Sequence, residues 1–261
     1  MNSNPKIDIA WLRAAKQRGE KIAALTAYDY PTARLLDEAG VPLLLIGDSL
    51  GMVVLGYEDT TSVTLEDMIH HTRPVARGAA NALVVADLPY QTYETPTQAV
   101  ASARALVAAG AEAVKLEGGL DQLPQIEAIL AAGIPLVGHL GMLPQSVKKE
   151  GGYRLKGKTG NEADQIEESA VALAHAGVSA IVLELVVPAV AEKISRRLAI
   201  PTIGIGAGEG CDGQILVTHD LVGLFPWFRP KFVQAEADLG PELREAARRF
   251  VARTKNSVSR P

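Results

Sequence analysis

Residues 95–119 read TPTQAVASARALVAAGAEAVKLEGG. Thr95 followed by Pro96 marks a helix start, because a threonine side chain can cap the free amides and proline suits the first turn. An alanine-rich stretch follows, and Ala109-Gly110 closes it, since glycine readily takes the left-handed conformation that ends a helix. The next run, AVKLE at 113–117, is short and apolar and finishes on Glu117. Such a run reads as a buried parallel strand whose last charge emerges at the edge of the sheet.

The same unit recurs along the chain. Ala-Gly at Gly40 precedes VPLLLIGD, at Gly133 it precedes IPLVGHLG, and at Gly177 it precedes VSAIVLE. Further helix starts stand at Pro31 after Tyr30, at Thr64 with Asp67 as a capping box, and at Asn161 before EADQIEESAVALAHA. The strands are IAALTAY near 22–28, PLLLIGD, ALVVADL, AVKLEG, IPLVGHL, AIVLEL, PTIGIGAG and QILVTHD. Eight strand and helix units in a chain of this length predict a single-domain (β/α)8 TIM barrel with its active site at the C-terminal strand ends. A doubly wound open sheet also fits the strand count, and there too ligands bind at the carboxyl edge. The barrel is expected over about residues 20–225, after an N-terminal helix at 8–18. A C-terminal helical extension follows, an amphipathic helix at about 240–255 with a frayed end. No Pro/Gly/Ser-rich linker divides the chain, so one domain over 1–261 is expected.

With 261 residues and 48% hydrophobic content the chain can bury a large core. A net charge of −4 gives no basic footprint for nucleic acid. The single cysteine, Cys211, rules out an internal disulfide and fits a reducing compartment. The N-terminal stretch is polar and broken by charges, unlike a signal peptide or a membrane span. A soluble cytoplasmic protein is expected.

Four apolar runs end in acids: Asp48, Asp87, Glu117 and Glu184. Any one of them could simply cap the next helix, but at the same edge of one sheet they converge. Two such carboxylates repel by roughly 1 kcal/mol at ~4 Å in water and by about 4 kcal/mol at an effective dielectric of ~20. Against a total stability of about 5–15 kcal/mol, the cluster calls for a cation or a proton. Asp48, Asp87 and Glu117 end three consecutive repeats, and their oxygen-only donor set suits a hard cation such as Mg2+, although other divalent cations also fit.

Lys115 lies two residues before Glu117 and therefore points to the same face of its strand. It could balance the acids, anchor a substrate carboxylate or act as a Schiff-base nucleophile. His139 ends IPLVGHL and could hydrogen-bond a substrate oxygen or orient a neighbour. Ser49 offers a hydroxyl and a backbone N–H at a strand end, a small-anion position. Glu184 stands among the apolar flanks AIVL and LVVP, surroundings that suit a general base. The glycines of IGIGAGEGCDG match neither a dinucleotide fingerprint nor a P-loop and read as a tight turn. KKEGGYRLKGKTG at 148–160 is polar, basic and glycine-rich, as a lid or a plain surface loop would be.

In order, the segments LTAYDYPTA, LLLIGDSLGMVVLGY, VVADLPY, AVKLEGG, GHLGMLPQSV, GGYRLKGKT, VLE and PTIGIGAG with CDGQILV resemble the ketopantoate hydroxymethyltransferase family. The likeness runs from about residue 7 to residue 224. It implies a (β/α)8 enzyme of pantothenate and coenzyme A biosynthesis. That enzyme transfers the one-carbon unit of 5,10-methylenetetrahydrofolate to 3-methyl-2-oxobutanoate, giving 2-dehydropantoate. Carried over to this chain, Asp48, Asp87 and Glu117 would be the Mg2+ site. Asp48, Ser49, Asp87, Lys115 and His139 would contact the 2-oxo acid, and Glu184 would be the proton acceptor. The resemblance also implies a homo-oligomer, in this family a homodecamer.

The chain departs from the family pattern at Met142-Leu143, where Leu-Thr is expected, and after Glu184, where the proline comes one place late as Pro188. Two other enzymes remain open on the residues alone. One is a Schiff-base aldolase using Lys115. The other is a Mg-dependent 2-oxo acid aldolase or lyase of the barrel group that acts on phosphoenolpyruvate-like substrates.

Overall fold

The structure is a computed structural model that describes residues 6–257. Its sheet is a closed barrel of eight strands in chain order. They are β1 (Ile22–Thr26), β2 (Leu43–Ile46), β3 (Leu83–Asp87), β4 (Ala113–Glu117), β5 (Leu136–Gly141), β6 (Ala180–Glu184), β7 (Thr202–Ile205) and β8 (Gly213–Leu216). The strand pairs from β1–β2 through β7–β8 are parallel, and closure of the sheet excludes the open doubly wound alternative. All eight expected strands are present, generally a residue or more shorter than the apolar runs that announced them.

The helices follow from local chemistry. α1 (Ile9–Gln17) starts at the Asp8 cap, and α2 (Tyr30–Glu38) starts at Asp29, whose side chain accepts from Thr32 N, with Pro31 in the first turn. α3 (Leu50–Val53) is a single turn after β2. α4 (Leu65–Gly78) carries the capping box of Thr64 and Asp67, and α5 (Pro96–Ala108) starts at the Thr95 cap. α6 (Leu123–Ala131) and the one-turn α7 (Val147–Glu150) flank β5. α8 (Gly160–Ala176) is capped by Thr159, one to two residues before the Asn161 start read from sequence. The hydroxyl there accepts from Glu162 N, and Gly160 is absorbed into the first turn. α9 (Pro188–Arg197) follows β6. The glycines of the recurring Ala-Gly pairs, Gly40, Gly110, Gly133 and Gly177, all have positive φ, as the helix-stop reading requires.

Two apolar layers hold the barrel. The interior is filled by Leu43, Leu45, Leu83, Val85, Ala113, Val137, Val182 and Ile203, with Ile215 and α1's Leu12. The outer layer, between strands and helices, includes Leu44, Ile46, Val84, Val114, Leu116, Leu136, Ile181 and Leu183. Alternation along each strand sends neighbours to opposite layers, yet both are buried, which is why these strands read as continuous apolar runs rather than as alternating ones.

The chain groups into two compact units that divide between Ile215 and Leu216. The second unit contains α10 (Thr218–Leu221) and α11 (Leu239–Ser257). Backbone bonds from Glu236 N to Leu221 O and from Leu239 N to Val222 O close its connecting segment. α11 matches the expected C-terminal helix, and the frayed end lies beyond the described residues. Its Leu243, Phe250 and Val251 are exposed. Among the described residues no helix is long and apolar enough to cross a membrane.

Candidate active site

Five consecutive strands, β2 to β6, deliver ionisable side chains to the C-terminal mouth of the barrel. Register does the alignment: Asp87 pairs with Lys115 across β3–β4, Glu117 with His139 across β4–β5, and Gly141 with Glu184 across β5–β6. Asp48 lies two residues past the end of β2, in the turn that opens α3. Asp48, Asp87, Lys115, Glu117 and His139 are all buried. Every sequence-derived site residue therefore reaches one place.

The contacts there are dense. Lys115 Nζ lies 2.8 Å from Asp87 Oδ1 and 3.4 Å from His139 Nδ1. His139 bridges two acids, with Nδ1 3.5 Å from Glu117 Oε1 and Nε2 3.2 Å from Glu184 Oε2. Asp48 N donates to Asp87 Oδ2 at 3.1 Å. Ser49 begins α3 but does not cap it, and its hydroxyl instead shares a 2.8 Å hydrogen bond with Tyr28 OH. Glu184 differs from the sequence expectation. Its strand neighbours are apolar, but its carboxylate is 14% exposed and faces His139, because the alternation of β6 turns it away from them.

Charge coupling is strong because water is scarce. Burial pushes the Asp48 carboxyl well above its ordinary range, and repulsion from Asp87 and Glu117 adds to this, outweighing Lys115. Asp87 is also raised by burial, against the opposing pull of Lys115. Burial alone would lower the Lys115 pKa, but Asp87, Asp48 and Glu117 together hold it above the usual lysine value. An amine kept protonated in this way is a poor Schiff-base nucleophile.

His139 behaves likewise. Burial and Lys115 favour the neutral ring, yet Glu117 and Glu184 outweigh them and hold its pKa up at about 9. Unfolded histidine titrates near 6.5, so the charged ring contributes stability that is fully present below about pH 6.5 and is lost as pH rises through about 9. At about 1.4 kcal/mol per unit the upper bound is about 3 kcal/mol. We expect the stability gap between the wild type and His139→Gln, measured by urea unfolding in chelator, to shrink between pH 6 and pH 9.5. A gap that stays constant over that range would contradict a charged His139.

The donor set suits a hard cation. Glu117 Oε1 is buried without an aligned hydrogen-bond donor, whereas Asp87 Oδ1 faces the Lys115 ammonium at 2.8 Å and would share it with a cation. Among the described residues no three His, Cys, Asp or Glu side chains stand as a group that could hold a metal ion by themselves. Mg2+ keeps several waters and shares its coordination with substrate, so the acids here would supply only part of its shell.

After β6, where the proline comes one place later than the family pattern, Leu185 is a non-glycine residue with φ 47°. Leu185 N donates to Ile205 O at 2.9 Å, Lys156 N donates to Leu185 O at 2.7 Å, and Val187 N donates to Lys156 O at 2.9 Å. Glu184 stays in register with Gly141 and Ile205. Gly141 is required there, since a Cβ at its position would meet Glu184 O at 2.2 Å. At the other departure, Met142 is fully buried and its N–H donates to Glu184 O at 2.8 Å, while Leu143 offers no side-chain hydroxyl in place of the expected threonine. The 148–160 segment forms α7 and an extended stretch, with Lys148 Nζ 2.7 Å from Asp59 Oδ2.

Three residues at this mouth were not singled out from sequence: Gln145, Tyr28 and Tyr93. Gln145 donates to Asp48 and Glu117, Tyr28 to or from Ser49, and Tyr93 to Gln145. Tyr28 lies two residues past Thr26 at the end of β1, a strand-end position that its spacing alone could have flagged.

Comparison with known proteins gives fold and family separately. Solved structures with similar folds include phosphonopyruvate hydrolase in complex with oxalate and Mg++. It has a TM-score of 0.64 and 14% identity, covering 96% of this chain and 88% of that one. Phosphoenolpyruvate phosphomutase from Streptomyces platensis subsp. rosaceus has a TM-score of 0.65 and 16% identity, with coverages of 96% and 88%. At such identities the likeness concerns the barrel alone. In sequence, the chain is 52% identical over 257 residues to 3-methyl-2-oxobutanoate hydroxymethyltransferase of Acetivibrio thermocellus, covering 98% of this chain and 91% of that protein. It is 50% identical to the protein of the same name from Enterococcus faecalis, covering 94% and 90%. The family model described as ketopantoate hydroxymethyltransferase matches residues 6–258, nearly the whole chain. By that match and these identities, the chain belongs to the ketopantoate hydroxymethyltransferase family.

Proposed function

We propose that this protein is a 3-methyl-2-oxobutanoate hydroxymethyltransferase. It takes the one-carbon unit of 5,10-methylenetetrahydrofolate and delivers it to C3 of 3-methyl-2-oxobutanoate, giving 2-dehydropantoate for pantothenate and coenzyme A biosynthesis. The observation that carries the reading is the convergence of Asp48, Asp87, Lys115, Glu117, His139 and Glu184 at the mouth of one barrel.

Asp48, Asp87 and Glu117 would hold Mg2+. When bound, a hard cation there supplies Lewis-acid polarisation of the 2-oxo acid's keto oxygen and carboxylate. The chain's own groups do the rest. Lys115, protonated, attracts the substrate carboxylate, and Ser49, with its hydroxyl fixed by Tyr28, donates a hydrogen bond to it. Asp87 restrains Lys115 at 2.8 Å, so the ammonium is placed rather than free. Glu184 accepts the C3 proton. His139, charged at neutral pH and 3.2 Å from Glu184, cannot compete for that proton and donates to oxygens where negative charge develops. The C3 carbanion equivalent forms the new carbon–carbon bond to the methylene carbon, one folate nitrogen having left that carbon and taken up a proton equivalent to the one Glu184 accepts. Water then adds its hydroxyl to the methylene carbon as the bond to the second folate nitrogen breaks, and water's other proton goes to that nitrogen.

The same reading assigns this chain to the cytoplasm and to a homo-oligomer, a homodecamer by family resemblance. The exposed Leu243, Phe250 and Val251 of α11 support association. A Schiff-base aldolase is disfavoured by the protonated Lys115. A lyase or mutase acting on phosphoenolpyruvate-like substrates shares the fold, but the relatives at about half identity carry the other name.

Metal removal tests the reading. Exhaustive dialysis against EDTA should abolish folate-dependent formation of 2-dehydropantoate, and Mg2+ should restore it. Undiminished turnover after dialysis would remove the metal assignment.

A further inference from the structure

Gln145 occupies a position that neither the strand ends nor their acids explain. It lies in the short 3-10 turn after β5 and is buried to 5% exposure. Its backbone N–H donates to Glu117 Oε2 at 3.1 Å. Its side-chain Nε2 donates to Asp48 Oδ2 at 2.8 Å and to Leu88 O at 3.0 Å. Its Oε1 accepts from Tyr93 OH. Both amide hydrogens and the amide oxygen are thereby used.

This pattern fixes the amide's orientation. A flipped amide would set Oε1 against a carboxylate and a carbonyl, and would turn the NH2 group towards Tyr93. It also selects between the oxygens of two acids. Gln145 occupies Oδ2 of Asp48 and Oε2 of Glu117, which leaves Oδ1 and Oε1 as the oxygens free of it. Glu117 Oε1 is indeed buried without an aligned donor. An acid held by one oxygen presents the other in a fixed direction, and losing such a support typically costs about 10–100-fold in metal affinity.

We propose that Gln145 is a positioning residue, locked by Tyr93, that clamps Asp48 and Glu117 by one oxygen each so that their remaining oxygens face a divalent cation. The inference rests on the metal reading of the site. It predicts that the loss of one neutral amide, which itself touches no metal, weakens cation binding. It also predicts that the tyrosine behind that amide matters in the same direction, although Tyr93 donates to neither carboxylate side chain.

The test measures Mn2+ binding to the full-length, metal-stripped protein by electron paramagnetic resonance, apart from any turnover. Gln145→Ala should weaken Mn2+ binding at least tenfold, and Tyr93→Phe by about threefold, with melting temperatures recorded alongside. Gln145→Glu keeps the shape but replaces a donor with a charged acceptor, and should show a loss larger than Tyr93→Phe. If Gln145→Ala fails to fold, Tyr93→Phe decides alone, since it keeps the glutamine and deletes a single hydroxyl. Folded variants that bind Mn2+ within twofold of the wild type overturn the clamp while leaving the metal site standing. A wild type that binds no Mn2+ overturns the metal reading and the clamp with it.

Discussion

Glu184→Gln should lower kcat by about a thousandfold while leaving the KM for 3-methyl-2-oxobutanoate within a fewfold, because a general base typically contributes 10²–10⁴ to the rate. Glutamine keeps the size and can still face His139, but it cannot accept a proton. No neighbour can replace it. His139 Nε2 is 3.2 Å away, but its ring already carries the proton at neutral pH. Lys115 is likewise held protonated by its acids. Asp48 and Asp87 are engaged with Gln145 and Lys115. The melting temperature should move little, since Glu184 is the least enclosed of the site's acids. Steady-state kinetics that keep more than a tenth of wild-type turnover would remove Glu184 as the base.

Lys115→Met should be the most destabilising of the single site substitutions. It deletes the ammonium that balances Asp48, Asp87 and Glu117 and leaves Asp87 buried without its partner at 2.8 Å. Breaking a buried pair by removing one member costs about 3–5 kcal/mol, and in a chain of this size each 1 kcal/mol moves Tm by about 2–4 °C. A fall of about 10 °C in chelator is therefore expected. If the three acids hold a cation, Mg2+ should return more of the lost Tm to the variant than it adds to the wild type. Calorimetry showing an unchanged Tm, or an equal Mg2+ shift in both proteins, would contradict the charge balance drawn here.

Much of this site was legible because parallel barrel strands leave a simple record. Both faces of each strand are buried, so an apolar run stops where a side chain reaches the mouth, and the acid that stops it marks the site. Asp87, Glu117 and Glu184 are read directly in this way, and Lys115 follows from Glu117 by alternation. Asp48 is a partial exception. It follows Gly47, beyond the last paired residue of β2, and its place depends on the turn into α3. The place of Gln145 beside Asp48 and Glu117 was not legible. Gln145 stands 97 residues from Asp48 and 28 from Glu117 in sequence, in a loop whose composition says nothing of the acids above it. The Tyr28–Ser49 pair and the contact of Glu184 with His139 were hidden for the same reason, since strand identity does not give the direction of a side chain past the strand end. The flanks of Glu184 suggested apolar enclosure. They belong to the outer and inner barrel layers, and the carboxylate itself meets an imidazole.

In the proposed reaction Glu184 removes the C3 proton of a 2-oxo acid held at the Asp48, Asp87 and Glu117 site. Proton exchange at C3 isolates that step, because it needs neither the folate nor the carbon–carbon bond. The measurement is proton NMR of 3-methyl-2-oxobutanoate in D2O with the protein and Mg2+ and without folate. Enzyme-catalysed loss of the C3 proton signal is expected, stopping when EDTA is added and absent with Glu184→Gln. Exchange at the wild-type rate with Glu184→Gln, or exchange indifferent to EDTA, would contradict the proposed step.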